Sequence, residues 1–246
     1  QFTHEGASRT LNARLAVLAD GGRGLKEIPG IVRESHDYQQ CAVVCQVRTA
    51  LPHNNLAYER FTDQGPAALL PSGADYALVW TTTPQRAQAL LALPDAEFLA
   101  QLQAHFGDRQ GAFLSTGQRS SFALGLQQSK PVTGARLALI GNAAQMLHPV
   151  AGQGFNMGLR DAWELAQQIL ACASAQIGAS AMLHAYAAGR RLDTQGGVFF
   201  TDLLVRGFSN AVPGLRPLRA LALSALDALP PAKAFVVRRM IFGAKG

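Results

Sequence analysis

Apolar and polar positions alternate along the first half of the chain and shift to helical spacing in the second. Alternation marks strands near Tyr38 to Ala50, Leu56 to Thr62, Ala67 to Pro71 and Tyr76 to Thr83, and four such neighbours predict an antiparallel sheet. Two further strands, around Ala112 to Ser115 and Arg119 to Leu124, extend it. "TPQRAQALLAL" and "PDAEFLAQLQAHFG" have helical spacing with proline near each start, so a helical pair is expected over one face of the sheet. Two short apolar runs stand apart. "ARLAVLAD" (Ala13 to Asp20) stops at Asp-Gly-Gly, and "ARLALIG" (Ala135 to Gly141) feeds a glycine-rich turn; both read as buried strands that deliver loops to a site. Everything after Phe155 reads as helix, with breaks near Gly189, Pro213 and Pro230. There is no internal repeat and no low-complexity tract.

Composition narrows the class. A chain of 246 residues buries a substantial core, as one large domain or two modest ones, and 48% hydrophobic against 15% charged residues argues against long disorder. Three cysteines cannot all pair and none has metal-ligand spacing, so the chain reads as cytoplasmic and reduced. Cys41 and Cys45 share one strand face as ordinary thiols. No signal peptide opens the sequence and no run of eighteen apolar residues occurs, which argues against secretion and against a spanning helix. A net charge of +6 suits an anionic partner. The basic residues lack any zinc-finger, RNA-recognition or helix-turn-helix context, so nucleic acid is set aside. From Leu215 on, apolar positions at helical spacing mix with Arg216, Arg219, Lys233, Arg238 and Arg239. That segment fits either docking on an anionic membrane or an ordinary amphipathic cap.

The chemistry concentrates in "GNAAQMLHPVAGQGFNMGLRDAWELA", Gly141 to Ala166. A strand ending at Gly141, a loop ending in Gly-Gln-Gly and a helix from about Phe155 aim several backbone N–H groups at one point, where the helix N-terminus adds partial positive charge. Asn142 suits hydroxyls, Asn156 suits a heteroaromatic edge, and Pro149 offers a flat apolar surface. The glycines alone fit equally a tight connection that holds nothing. His148 reads either as a group near a ligand or as a structural imidazole. Six histidines without metal spacing, and no Gly-x-Ser-x-Gly elbow, leave hydrolase and metalloenzyme readings without support. Trp80 and Trp163 read as packing residues.

On Gly141, Pro149, Gly152, Gln153, Gly154 and Asn156, followed by "GLRDAWELA", and on Ala19, Asp20 and Gly21, the sequence resembles the class A flavoprotein monooxygenases. Within that class, "GNAAQ.LHP.AGQGFN.G", "ERFT..GP.A.LP" and "LVW" are similar to the ubiquinone-biosynthesis hydroxylases. Asn142 and Gln145 stand where most of the class has Asp and His, and Gly24 and Glu27 where it tends to have Ser and Arg. The Gly-x-Gly-x-x-Gly fingerprint that opens family members is not in this sequence, so the resemblance implies a carboxy-terminal portion, with FAD binding weakened or lost.

The resemblance implies FAD as cofactor, NAD(P)H as electron donor, and O₂ with a polyprenylated phenol as substrates, reacting through a flavin C4a-hydroperoxide. It implies that Gly154 and Phe155 N–H groups stabilise negative charge on the flavin and that Pro149 flanks its ring. Asp20 and Gly21 would lie near its ribityl or pyrophosphate part. Gly141, Asn142, Gly152, Gln153 and Asn156 complete the expected cofactor set. Tyr58, Arg60, Trp80 and His148 are the candidate substrate contacts, in a cavity between the turn and the sheet. No side chain is assigned as catalytic and no metal ligand is expected. The expected fold is α/β (α+β): a remnant of a Rossmann-like FAD-binding domain (1–34 and 125–180), an antiparallel-sheet substrate domain (35–124) and a helical C-terminus (181–246). Peripheral attachment to the inner membrane and other ubiquinone-biosynthesis proteins as partners are further expectations. The alternatives are a related flavin hydroxylase with another phenolic substrate, and a non-catalytic lipid-binding scaffold of the same fold.

Overall fold

The computed structural model describes residues 2–62, 65–208 and 215–245. A short hairpin, β1 (Phe2–His4) and β2 (Ala7–Arg9), precedes β3 (Ala16–Leu18). The long β4 (Val32–Thr49) is followed by β5 (Tyr58–Thr62), β6 (Gly65–Ser72) and β7 (Asp75–Thr82). Then come α1 (Pro84–Ala92), α2 (Asp95–Phe106), β8 (Phe113–Thr116) and β9 (Ser120–Lys130). β10 (Thr133–Gly134), β11 (Leu137–Leu139) and β12 (Gln145–Met146) lead into α3 (Gln153–Ala171), α4 (Ser180–Phe208), α5 (Leu215–Ala228) and α6 (Pro230–Phe242).

The expected antiparallel sheet is present, in the order β12-β9-β4-β7-β6-β5 with β8 also paired to β4. One face carries the main core. Val43, Val47, Leu69, Leu78 and Trp80 pack there against Leu90 of α1 and Phe98 and Leu102 of α2. Thr83 caps α1 by accepting the Arg86 N–H at 3.4 Å, and Pro84 opens that helix. Cys41 and Cys45 also sit on this face as free thiols, as their spacing predicted.

β4 begins six residues before the expected Tyr38, because "RESHDYQQ" lacks alternation and its register slips between Asp37 and Gln40. The borders expected at 34/35 and 124/125 both fall inside continuous strands, β4 and β9.

A separate small sheet, β10-β11-β3, holds the two apolar runs side by side and parallel, with Ala16 opposite Leu137 and Leu18 opposite Leu139. β3 is not buried as expected. Among the described residues it pairs with β11 alone, and Val17 lies in solvent. The helical region also differs at one point. Gly189 does not break α4; a Cβ there would come within 2.6 Å of Glu164 Oε1, so the glycine lets α3 and α4 approach closely. The chain breaks instead between Ala171 and Ser180. The break at Pro230 is present, and the one expected at Pro213 falls outside the described residues.

Candidate functional site

Because β3 and β11 run parallel, the loops that follow them leave the same edge of the small sheet. The first loop closes on itself. Asp20 accepts the N–H of Gly22 through Oδ1 (2.8 Å) and of Gly24 through Oδ2 (2.7 Å). The Gly24 hydrogen bond is the main reason its carboxyl is held below the usual range. Arg33, at the start of β4, joins the two loops by donating to the carbonyls of Gly21 (3.2 Å) and Asn142 (3.0 Å).

The second loop is held from behind. Gly141, at φ +58°, donates its N–H to Asp161 Oδ2 at 2.9 Å, and the same oxygen accepts Gln145 Nε2 at 2.7 Å. Asp161 lies on α3, whose Gly158 passes so near that a Cβ there would be 3.3 Å from the Gly141 Cα. Its other oxygen accepts Arg190 Nε of α4 at 2.6 Å. Arg190 also donates to Asp193, which accepts Arg160 as well. Arg160 continues to the carbonyls of Met240 and Ile241 on α6 (both 3.2 Å), so one ionic knot fastens the turn to three helices. Burial pushes the Asp161 carboxyl up, opposed by Arg190 and its hydrogen bonds. At Asp193 burial is outweighed by hydrogen bonds from Arg160 and Arg190, and its carboxyl is held low.

Held in this way, the loop leaves a helix N-terminus open. Gly152 takes a left-handed conformation (φ +61°) that turns the chain into α3, and no side chain caps that helix. The N–H groups of its first turn therefore have no intrahelical acceptor. Beside them lies a cavity of about 880 Å³. Asn142, His148, Pro149, Gly152, Gly154 and Phe155 line one side of it. Glu59, Pro66, Ala68, Leu70, Val79 and Thr81, from the sheet face away from the main core, form the other, and Tyr58, whose ring packs toward Tyr76 on the core side, borders it. A Cβ added at Gly152 or Gly154 would meet nothing within 4 Å, so the backbone here is a cradle with room for a ligand against it.

Of the sequence-derived cofactor residues, Asn142, Pro149, Gly152, Gly154 and Phe155 meet at this cavity. Asp20, Gly21 and Gly141 stand behind it, joined through Arg33 and Asp161. Gln153 is buried and lines a neighbouring cleft, and Asn156 faces another with Leu159 and Trp163. The helical period explains Asn156, since two positions beyond Gly154 lie on nearly the opposite side of α3.

Among the candidate substrate contacts, Tyr58 and His148 line the cavity, whereas Arg60 and Trp80 do not. Side chains alternate across a strand, and Arg60 and Trp80 share the Ala67 register on the core face. There Trp80 packs 6.1 Å from Phe98, and Arg60 donates to the His105 carbonyl. Trp163, expected to pack, is 68% exposed. His148 is fully buried; Nδ1 accepts the Val150 N–H at 3.1 Å, so Nε2 carries the proton toward Gln40 Oε1 at 3.2 Å. Burial lowers its pKa to about 4, which makes it a neutral imidazole that shapes the turn. The sequence reading missed Arg33, and it passed over Asp161 although that residue sits inside "GLRDAWELA".

A cavity beside an uncapped helix N-terminus, at the carboxyl ends of two parallel strands, is the kind of place where nucleotide cofactors bind. The FAD binding domain family matches residues 1–199, and the chain belongs to that family. It is 40% identical over 234 residues to the ubiquinone hydroxylase UbiL of Rhodospirillum rubrum, covering 94% of this chain and 54% of the relative. It is 32% identical over 224 residues to the 3-demethoxyubiquinol 3-hydroxylase of Escherichia coli (strain K12), covering 88% of this chain and 56% of the relative. The chain thus spans just over half the length of these curated relatives. The flavin-dependent brominase Bmp2 shares the fold, with a TM-score of 0.71 at 16% identity over 98% of this chain and 60% of that one.

Proposed function

We propose that this chain is part of a longer protein, an FAD-dependent monooxygenase that hydroxylates the ring of a polyprenylated phenol, of the 2-octaprenyl-6-methoxyphenol kind, in ubiquinone biosynthesis. NAD(P)H is the proposed electron donor, and peripheral membrane attachment, with other enzymes of the same synthesis nearby, completes the reading. The observation that carries it is the uncapped first turn of α3 opening on the cavity, opposite a mostly apolar sheet face. The names of the hydroxylase relatives supply the substrate class. FAD, when bound, supplies the redox chemistry by which O₂ is activated toward an aromatic ring.

The chain's own residues do the rest. In this reading the N–H groups of Gly154 and Phe155 hold negative charge on the cofactor, the Asn142 amide meets hydroxyls, and Pro149 offers an apolar surface to the ring. Asp20, Gly21 and Gly141 fix the backbone behind those contacts. Ala68, Leu70 and Val79 exclude water from the substrate side, with Thr81 and Glu59 as the polar groups that orient a phenol. His148 moves no proton near neutral pH, since both its ring nitrogens are engaged within the protein. The expected division into a cofactor-binding part, a sheet and a helical end is retained as a proposal.

Titration with FAD, followed by flavin fluorescence, tests the reading in this chain and in its natural full-length form. Saturable binding by the full-length form that is lost in Gly154→Val supports it. Full-length protein that binds no FAD overturns it in favour of the scaffold alternative.

A further inference from the structure

The excess charge of the chain is concentrated at its end. Residues 215–246 hold six of the 22 cationic side chains and one of the 16 carboxylates, so the sequence before them is close to neutral. The same stretch is sparsely packed. From Pro217 to Ala228 of α5 every residue but Arg219 and Leu226 is exposed. Leu218 and Leu221, 58% and 65% exposed, share a face with Ala222 and Ala225. α6 turns Ala232, Val236, Arg239 and Met240 away from solvent and leaves Val237 and Ile241, one turn apart, outside beside Lys233 and Arg238. An ordinary helical cap would bury its leucines.

The two helices meet at a 97° bend, and among the described residues no single helix is long and apolar enough to cross a membrane. At ~1.5 Å per residue each arm is about 20 Å long, short of the ~30 Å hydrocarbon core, so neither arm crosses a bilayer by itself. Charge selects the occupant of this surface. A second copy would bring like charge against like, and a nucleic acid would use the cations while leaving the leucines in water. An anionic phospholipid surface satisfies both, with acyl chains for the leucines and phosphates for the cations. The Lys233–Asp227 pair (2.6 Å) is exposed and weak enough to yield to such a surface.

We propose that α5 and α6 form an L-shaped foot that seats the protein in the interface of an anionic phospholipid bilayer, Leu218, Leu221, Val237 and Ile241 entering the acyl region while Lys233 and Arg238 meet the headgroups. This deepens the peripheral-membrane part of the proposed function and does not depend on flavin. Flotation of the natural full-length protein with liposomes of phosphatidylcholine, alone or mixed with phosphatidylglycerol, tests it. The protein floats with the mixed liposomes, weakly with the neutral ones, and added salt releases it. Lys233→Gln with Arg238→Gln weakens binding about thirtyfold, at ~1 kcal/mol per cation near such a surface. Leu218→Glu with Leu221→Glu abolishes binding while the circular dichroism spectrum and FAD titration stay unchanged. Absence of flotation, equal binding to both liposomes, or binding that survives the Leu→Glu pair overturns the proposal. A dimer that this pair dissolves, without liposome binding, also overturns it and assigns the face to a second copy. Liposome binding without FAD binding removes the flavin reading alone, and the reverse result removes this one alone.

Discussion

Two glycine-rich loops leave the same edge of the small sheet, after its two parallel strands, and are finished in opposite ways. After β3, the Asp20 carboxylate folds back on the N–H groups of Gly22 and Gly24, and the loop satisfies its own donors. After β11, the carboxylate comes from elsewhere in the fold: Asp161 takes the Gly141 N–H from behind, and the first turn of α3, which no side chain caps, lies against the cavity. A loop that saturates itself is a support, and one anchored from outside retains polar groups for a ligand. Arg33 ties the two together, so the supporting loop positions the open one.

The largest effect is expected at the external anchor. Asp161→Ala leaves Arg190 buried with half its charge partners gone and frees the Gly141 N–H, a loss of ~3–5 kcal/mol. Urea denaturation measures it, and a loss below ~1 kcal/mol would mean that the turn holds its shape without α3. Acid comes next. Folded, His148 stays neutral down to about pH 4, whereas unfolded it takes up a proton near its ordinary 6.5. Between those values the unfolded chain holds the extra proton, so the stability contributed is complete above 6.5 and lost as pH falls toward 4, ~3 kcal/mol in all. His105, whose pKa burial also lowers to about 4, acts in the same window, so His148→Gln flattens the dependence only in part. Equal slopes in the two proteins would show that the turn does not bury a neutral imidazole.

Arg33→Met separates the two loops at a cost of ~1 kcal/mol, the scale of its hydrogen bonds, and weakens FAD binding through the displaced Asn142. An unchanged FAD affinity in that variant would make the supporting loop irrelevant to the open one. The smallest effect on stability is at Gly154→Ala, whose added methyl meets nothing in the protein. Its thermal midpoint stays level or rises slightly, since alanine favours helix by up to ~1 kcal/mol, while FAD affinity falls. A variant that binds FAD normally would move the cofactor away from this cradle.

Much of this was legible in the linear chain. Alternation located the central strands, because a sheet with one buried face needs that period, but missed six residues at the start of β4 and six at the end of β9. The glycines, Pro149 and the helical spacing that follows them located the open loop, because backbone reversal and helix onset depend on local residue types. Tertiary structure alone decided the rest. Trp80 and Val79 are neighbours in sequence, and only the placement of α1 and α2 puts one in the core and the other on the cavity wall. Arg33 and Asp161 lie 109 residues before and 20 residues after the groups they hold, and no local period records such a partner. Period and turn chemistry are written in adjacent residues; which face is covered, and which distant charge closes a loop, is fixed only when the elements pack.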